Sequence, residues 1–460
     1  MTDPAKPASI QTARVPSRWA GLAAPALFLL SIGVVQLAGV TQGSAFAVCE
    51  SRTMMQTLPI EQLQRTPLES LWYLHKQPPT LDAVRAGVAQ FFPDENPGRL
   101  AWNVDVVCSW IWSAFLGVSV VLVYLWTSRF CPRPVALLFA ALWMLHPAAI
   151  LYTRYLESSL LSALLVLWFF YELWRLARGG GSVGRLALAA VLVFYTRTIF
   201  QWYFFVVLLA ALVIMRVPRR SIAIFAAIVV VAIGPFLVRQ YLLFGTTSTT
   251  TFAGYHQCSI IWYRPSAEEI DRAERSLRLA YPPDADLYNG GDPYNTRRQW
   301  AENLIYSKLF GERLAKDPAG SLTALCGSLQ MNWAEYWKPS STFCDPQRSV
   351  IGAALTRLYD STFSGGVFIG LLLASAAIWT VAAIRRGGCD FRRVAGLLIP
   401  LGYVMLISNL CNRYYPNSVG DRPEWSEAQR MKFFLEPVFF VFLATQLVAG
   451  VRMLWPRTKH

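Results

Sequence analysis

Apolar runs long enough to cross a bilayer constrain this chain more than any other feature. A helix needs about 20 apolar residues to span the hydrocarbon core. Such runs recur at roughly 19–40, 104–127, 134–152, 157–177, 221–243, 364–384, 394–410 and 434–454. Two shorter runs, 185–196 and 200–215, bring the expected number of spans to about ten. The 460 residues are 54% hydrophobic and only 15% charged, whereas a soluble chain carries about a quarter charged residues. No strand alternation dominates and no repeat is visible, so the expected class is all-α, a polytopic integral membrane protein. Residues 1–18 are polar and end in no small-residue cleavage site, so the run from Trp19 reads as a retained first span.

The net charge of +14 invites a nucleic-acid reading, but its distribution argues against one. Lys6, Arg14 and Arg18 precede the first run. Arg129 and Arg133 follow the second, Arg175, Arg178 and Arg185 the fourth, and Arg216, Arg219 and Arg220 the sixth. Arg385, Arg386, Arg392 and Arg393 follow the eighth, and Arg452, Arg457 and Lys459 close the chain. Against these 18 cations stand only Asp3, Glu172 and Asp390. Nearly all the net charge thus lies on one side, as the positive-inside rule requires. Both termini are then cytoplasmic, as tails 1–18 and 455–460. The runs at 185–196 and 200–215 form a hairpin turning at Tyr195–Thr198. One long tilted helix is the alternative, and it would invert every later segment.

Two polar segments fall on the opposite, outer side: 41–103, within a membrane core of 19–243, and 244–363, ahead of the last spans at 364–454. In the first, Thr66-Pro67-Leu68-Glu69 reads as a capping box with proline at the first helical position. Thr80 reads as the cap of a second helix, with Leu81, Val84, Val88 and Phe91 on one stripe and Asp82, Arg85 and Gln90 off it. Both helices read as amphipathic and interfacial. In the second segment, Ser266-Ala267-Glu268-Glu269 is another capping box, Asn295–Lys316 reads as helix, and Asp317-Pro318 caps the next. The eight cysteines show no CxxC pairing and so no zinc framework. Cys49, Cys258, Cys326, Cys344 and Cys411 fall on the outer side, where a disulfide can form.

LWYLHKQPPTLDAV, Leu71–Val84, places His75 and Lys76 just before two prolines. Proline holds the preceding residue extended, so donor groups sit on a stiff turn between two interfacial helices. That suits an anionic headgroup. A plain rigid corner, wetted by polar residues, explains it equally well.

A long outer loop after the first span with a His-x-x-Pro-Pro turn resembles the GT-C superfamily of polyprenyl-phosphate-sugar glycosyltransferases. Protein O-mannosyltransferases and the lipid A aminoarabinose transferase belong to it. HPAAILYTRYLESSLL (146–161), VRQYLLFGTTSTTTFAGYHQ (238–257) and EAQRMKFFLEPVFF (427–440) resemble three further family segments, in order. The chain departs from the pattern in its first loop. The family's acid there is usually an aspartate, often with a second acid, where this chain has Cys49-Glu50-Ser51.

The resemblance implies inverting transfer of a sugar from a polyprenyl-phosphate carrier to a glycolipid, glycan or protein on the outer face of a bacterial inner membrane. One carboxylate takes the acceptor proton, and cations hold the departing phosphate. Glu50 stands where the family keeps its acid. Glu157, which local spacing would pair with Arg154, fits a second acidic position. Glu69 is nearer the His75 turn but already serves the expected cap. For the phosphate, Arg197 is the strongest physical case. An arginine near hydrocarbon costs about 2.5–3.5 kcal/mol on insertion scales unless it pairs or reaches water. Arg239, Lys76, His75, Arg430 and Lys432 complete the cationic set. No cofactor is expected, with a divalent metal held by outer-side histidines as the alternative. His75, His146 and His256 lie on one side but match no metal-ligand spacing. Two rival readings are a lipid or sugar transporter, which would show repeated halves and broken midplane helices, and a non-catalytic scaffold of the same fold.

Overall fold

The computed structural model describes residues 18–41, 57–93, 96–277, 295, 297–339, 350–385, 390–410 and 427–454. Among them every regular element is a helix. In chain order the first are α1 (Arg18–Thr41), α2 (Ile60–Arg65), α3 (Pro67–Trp72), α4 (Thr80–Ala89), α5 (Pro97–Thr127), α6 (Arg133–Met144) and α7 (Pro147–Tyr152). Then come α8 (Ser159–Ala177), α9 (Val183–Phe194), α10 (Trp202–Ile214), α11 (Arg219–Phe244), α12 (Ala253–Ile260), α13 (Ala267–Leu277) and α14 (Arg297–Lys316). The last are α15 (Pro318–Tyr336), α16 (Val350–Thr362), α17 (Gly365–Arg385), α18 (Phe391–Leu410), α19 (Glu427–Lys432) and α20 (Glu436–Leu454).

All ten apolar runs fall on helices. Four of these, α5, α8, α11 and α18, are long and apolar enough to cross a membrane. A fifth span arises if Thr356–Thr362 and Gly365–Ile378, bent by 53°, act together. The remaining runs give shorter apolar helices in α1, α6, α9, α10 and α20. The run at 134–152 is not one helix. Pro147 has no N–H and holds His146 extended, at ψ 123°, so the chain breaks between α6 and α7.

Packing follows the apolar faces. α1 lies along α5, α5 against α6 and α8, and α8 against α9. α9 packs on α11, α10 on α18, and α17 on α20. The chain breaks between α9 and α10, so the two are not one long helix. The Arg197 side chain meets Ser159 at the start of α8, and α9 packs back along α8. α11 then climbs from Arg219 to Ala232, whose carbonyl accepts from the Tyr195 hydroxyl. Gly245, with φ 63°, ends α11 in the left-handed geometry that glycine adopts without strain.

Away from the apolar helices, α12 packs on α14, and α13 on α14 over Ala273, Ile305 and Leu309. The Ser266 capping box forms in both directions: the Ser266 amide donates to Glu269 at 2.8 Å, and the Glu269 amide to Ser266 Oγ at 3.2 Å. The hydrogen bond from the Ser266 amide holds the Glu269 carboxyl below its ordinary range. Asp317 caps α15 through the Gly320 amide at 2.9 Å. Among the described residues, Cys108, Cys131, Cys258 and Cys326 form no disulfide. Cys49, Cys344 and Cys411 lie outside the described residues.

Candidate functional site

The loop Thr153–Ser158 leads from α7 into α8 and carries Glu157. Its Oε1 accepts from the Ser159 amide at 3.0 Å, which seats the carboxylate at the positive end of α8. Its Oε2 lies 3.3 Å from a guanidinium nitrogen of Arg197 and 3.3 Å from one of Arg430. Arg197 also donates to Ser159 Oγ at 2.7 Å, and its guanidinium stands 4.9 Å from the ring centre of Phe434. The partner suggested by local spacing, Arg154, is not the one used. α7 ends at Tyr152, so residues 154 and 157 do not share a helix face.

This cluster joins four parts of the chain: the α8 start, the α9–α10 turn, α19, and Phe434 just beyond α19. It is nearly enclosed, with side-chain exposures of 9% for Glu157, 12% for Arg197 and 17% for Arg430. It is also recessed. Trp112 Nε1 donates to the Glu157 carbonyl at 2.9 Å, about halfway along the 31 residues of α5. From Trp112 to the basic end at Thr127, α5 rises about 22 Å at 1.5 Å per residue.

The His75 turn is buried, not laid open at a surface. The His75 amide donates to Asn295 Oδ1 at 3.1 Å, and its ring Nδ1 is 2.9 Å from Thr251 Oγ1. The Thr251 amide donates to the His75 carbonyl at 3.0 Å, and Thr250 Oγ1 to the Lys76 carbonyl at 2.5 Å. The threonine run after α11 therefore grips the turn from above. Burial, with Lys76 and Arg239 adding to it, pushes the His75 pKa from 6.5 down to about 3. Lys76 is fully buried, and its Nζ donates to the Thr57 carbonyl at 3.2 Å. Burial lowers its pKa to about 7, against the pull of Asp82.

α4 differs from the amphipathic helix expected at an interface. Asp82 and Arg85 face inward and are buried, paired at 2.6 Å. Arg85 donates to the Leu58 carbonyl at 2.8 Å, and the Leu58 amide sits 3.4 Å from both Asp82 oxygens. Burial pushes the Asp82 carboxyl up, and Arg85 opposes it. Thr80 is the first residue of α4 rather than its cap. Its hydroxyl donates instead to the Tyr195 carbonyl at 2.6 Å, tying α4 to the hairpin turn.

The other expected site residues separate. Arg239 donates to the Leu71 and Leu74 carbonyls at 3.2 and 2.9 Å, closing the end of α3, and its guanidinium is 4.6 Å from the Phe236 ring centre. It braces the His75 turn from below. Glu69 is exposed on α3, and the Thr66 capping box does not form. Thr66 begins α3 without a side-chain cap, and its hydroxyl lies 3.1 Å from Ser70 Oγ. Glu50 lies outside the described residues. Lys432 is 0% exposed and donates to the Lys338 carbonyl at 2.7 Å and to Glu436 at 3.2 Å. It belongs to a second charge cluster and not beside Glu157. Among the described residues no group of three or more His, Cys, Asp and Glu is placed to hold a metal.

Asp82, Arg85, Ser159 and Glu436 join these networks without having been expected there. The i,i+3 spacing of Asp82 and Arg85 and the i,i+4 spacing of Lys432 and Glu436 were the available signals. No protein-family model matches the chain and no curated protein matches it, so its function must be argued from the site itself.

Proposed function

We propose that this chain is a ten-span GT-C-type glycosyltransferase of a bacterial inner membrane with both termini cytoplasmic. It moves a sugar from a polyprenyl-phosphate carrier to a glycolipid, glycan or protein hydroxyl on the outer face. One observation carries this reading: Arg197 and Arg430 converge on a recessed carboxylate at the ends of apolar helices opposite the basic side. Among the described residues, two guanidiniums converge on one carboxylate, at the depth that a lipid phosphate would occupy on this reading. Each guanidinium offers several N–H donors in a planar fork suited to phosphate oxygens.

In the transfer, the acceptor oxygen forms a bond to the anomeric carbon as the bond from that carbon to the phosphate oxygen breaks. The electron pair leaves with the phosphate, where Arg197 and Arg430 stabilise it. The acceptor proton goes to a carboxylate. The family resemblance assigns that base to Glu50. Glu157, held by two guanidiniums and an amide, organises the clamp instead.

A non-catalytic scaffold is the second reading. The pairing of both arginines to Glu157 at rest is the observation in its favour. Purified protein in lipid nanodiscs, offered a panel of undecaprenyl-phosphate sugars and envelope acceptors, separates the two. Carrier consumption by wild type that Glu50→Gln and Arg197→Ala abolish supports the enzyme. Carrier binding without turnover across the panel supports the scaffold.

A further inference from the structure

The turn between α19 and α20 does two things at once. Arg430 reaches Glu157 from its near side, and Phe434 lies under the Arg197 guanidinium. Any tilt of this turn moves one cation of the cluster and the ring beneath the other. What fixes it is a set of buried charges pointing the opposite way. Lys432 and Glu436 pair across the turn at 3.2 Å, and His146 Nε2 stands 3.6 Å from the other Glu436 oxygen. His146 sits at the α6–α7 break. Lys432 also holds the Lys338 carbonyl, just past α15. Aromatic rings close the pocket. Trp143 stacks on Phe433 at 5.5 Å, and Tyr359 and Phe440 stand edge-on to His146 at 5.1 and 5.8 Å. The Tyr359 hydroxyl donates to the Leu142 carbonyl at 2.5 Å, so α16 is tied to the same break.

A buried ion pair contributes little net stability, because desolvation offsets the attraction, and an apolar pair of equal volume often serves as well. What charges do better than methyl groups is fix a register, since a displaced pair leaves both partners unsatisfied.

We infer that Lys432, Glu436 and His146 form a positioning lock that sets Arg430 and Phe434 against the Glu157–Arg197 pair, and so couples the α15–α16 segment to the phosphate clamp. The inference rests on the function proposed above for the clamp itself. It also removes Lys432 from the phosphate ligands, since its amine is enclosed and directed at Glu436 and Lys338.

The test uses the full chain in nanodiscs, with two readouts. The first is amide hydrogen exchange at Leu435, bonded to the Lys432 carbonyl, and at Ser159, bonded to Glu157. The second is equilibrium binding of undecaprenyl phosphate. Lys432→Met breaks the lock. The paired Lys432→Met/Glu436→Gln variant removes both charges and guards against simple misfolding. Both are expected to speed exchange about tenfold at Leu435 and Ser159, with the middle of α8 unchanged. Each is expected to weaken undecaprenyl phosphate about as much as Arg430→Gln does, roughly tenfold, and Lys432→Met added to Arg430→Gln costs little more. Exchange that rises across every helix would show a merely structural role and overturn the lock. Binding that Arg430→Gln weakens but both lock variants leave intact overturns the lock and keeps the proposed function. A wild type that binds no undecaprenyl phosphate overturns the proposed function, and the exchange readout then decides the lock alone.

Discussion

An oxygen of Glu157 lies 3.3 Å from a guanidinium nitrogen of Arg430 across 273 residues of chain. The same oxygen faces Arg197 at the same distance. One carboxylate therefore bridges two cations that would otherwise repel each other in a nearly closed space.

Glu157→Gln keeps the shape of this site and removes the counter-charge that the two arginines share among the described residues. Breaking a buried pair from one side costs about 3–5 kcal/mol. The slight exposure of all three side chains places the expected loss near 3 kcal/mol, the low end of that range. Thermal unfolding in nanodiscs reads it as a clear drop in Tm. A variant as stable as wild type would mean that the two arginines already reach water.

Arg239→Ala leaves the Leu71 and Leu74 carbonyls without their guanidinium donors. Unsatisfied buried acceptors cost about 1–3 kcal/mol. The loss concentrates on the α3 end and the His75 turn. Hydrogen exchange of residues 73–77 is expected to quicken while α5 keeps its protection. Uniform protection in both regions would show that the brace contributes nothing.

The His75 ring is neutral in the folded chain down to about pH 3, against 6.5 for an ordinary histidine. Between those values the unfolded chain binds the extra proton, so stability falls as pH drops through this window. Replacing the ring by His75→Asn removes that contribution. A plot of unfolding midpoint against pH is then expected to fall less steeply below 6.5 for the variant than for wild type. Parallel curves would place the ring in contact with water.

Gly254 sits where α12 meets α14, and a Cβ there would collide with the Asn303 carbonyl oxygen and the Ser307 backbone. Backbone cannot yield as a side-chain tip can. Gly254→Ala is therefore expected to cost about 1–3 kcal/mol as an overpacked contact. Denaturant unfolding followed at Trp300, on α14, would register it as an earlier transition. No shift would mean that the two helices slide apart freely.

Local signals were legible in the sequence where a few neighbouring residues decide the outcome. The Ser266–Glu269 box and the Asp317 cap formed as their spacing requires. The expected turn at Tyr195–Thr198 came from the clustering of arginines along the sequence, and α9 does end at Phe194. The His146-Pro147 break carried an equally local signal, but the apolar run across it masked the proline. Tertiary placement was harder to see. Periodicity put Asp82 and Arg85 off the apolar stripe of α4, yet it cannot tell solvent from a neighbouring backbone that needs the same polar groups. Here that neighbour is Leu58. Arg197 could be singled out by the cost of leaving it near hydrocarbon, but its partner could not. Glu157, Arg197 and Arg430 come from three distant segments, and only the packing of α8, α9 and α19 brings them together.

The brevity of α9 and α10 has a consequence for the lipid around them. Their 12 and 13 residues rise about 18 and 20 Å, some 10 Å less than the hydrocarbon of an average bilayer. Trp202 and Tyr203 face outward at the top of this low wall, where interfacial aromatics anchor to headgroups. A bilayer meets such hydrophobic mismatch by thinning. On the function proposed above, a bilayer beside α10 is expected to thin toward Arg197, bringing headgroups nearer the guanidinium. On that reading, a charged lipid arriving along this wall need not drag its charge down through oil.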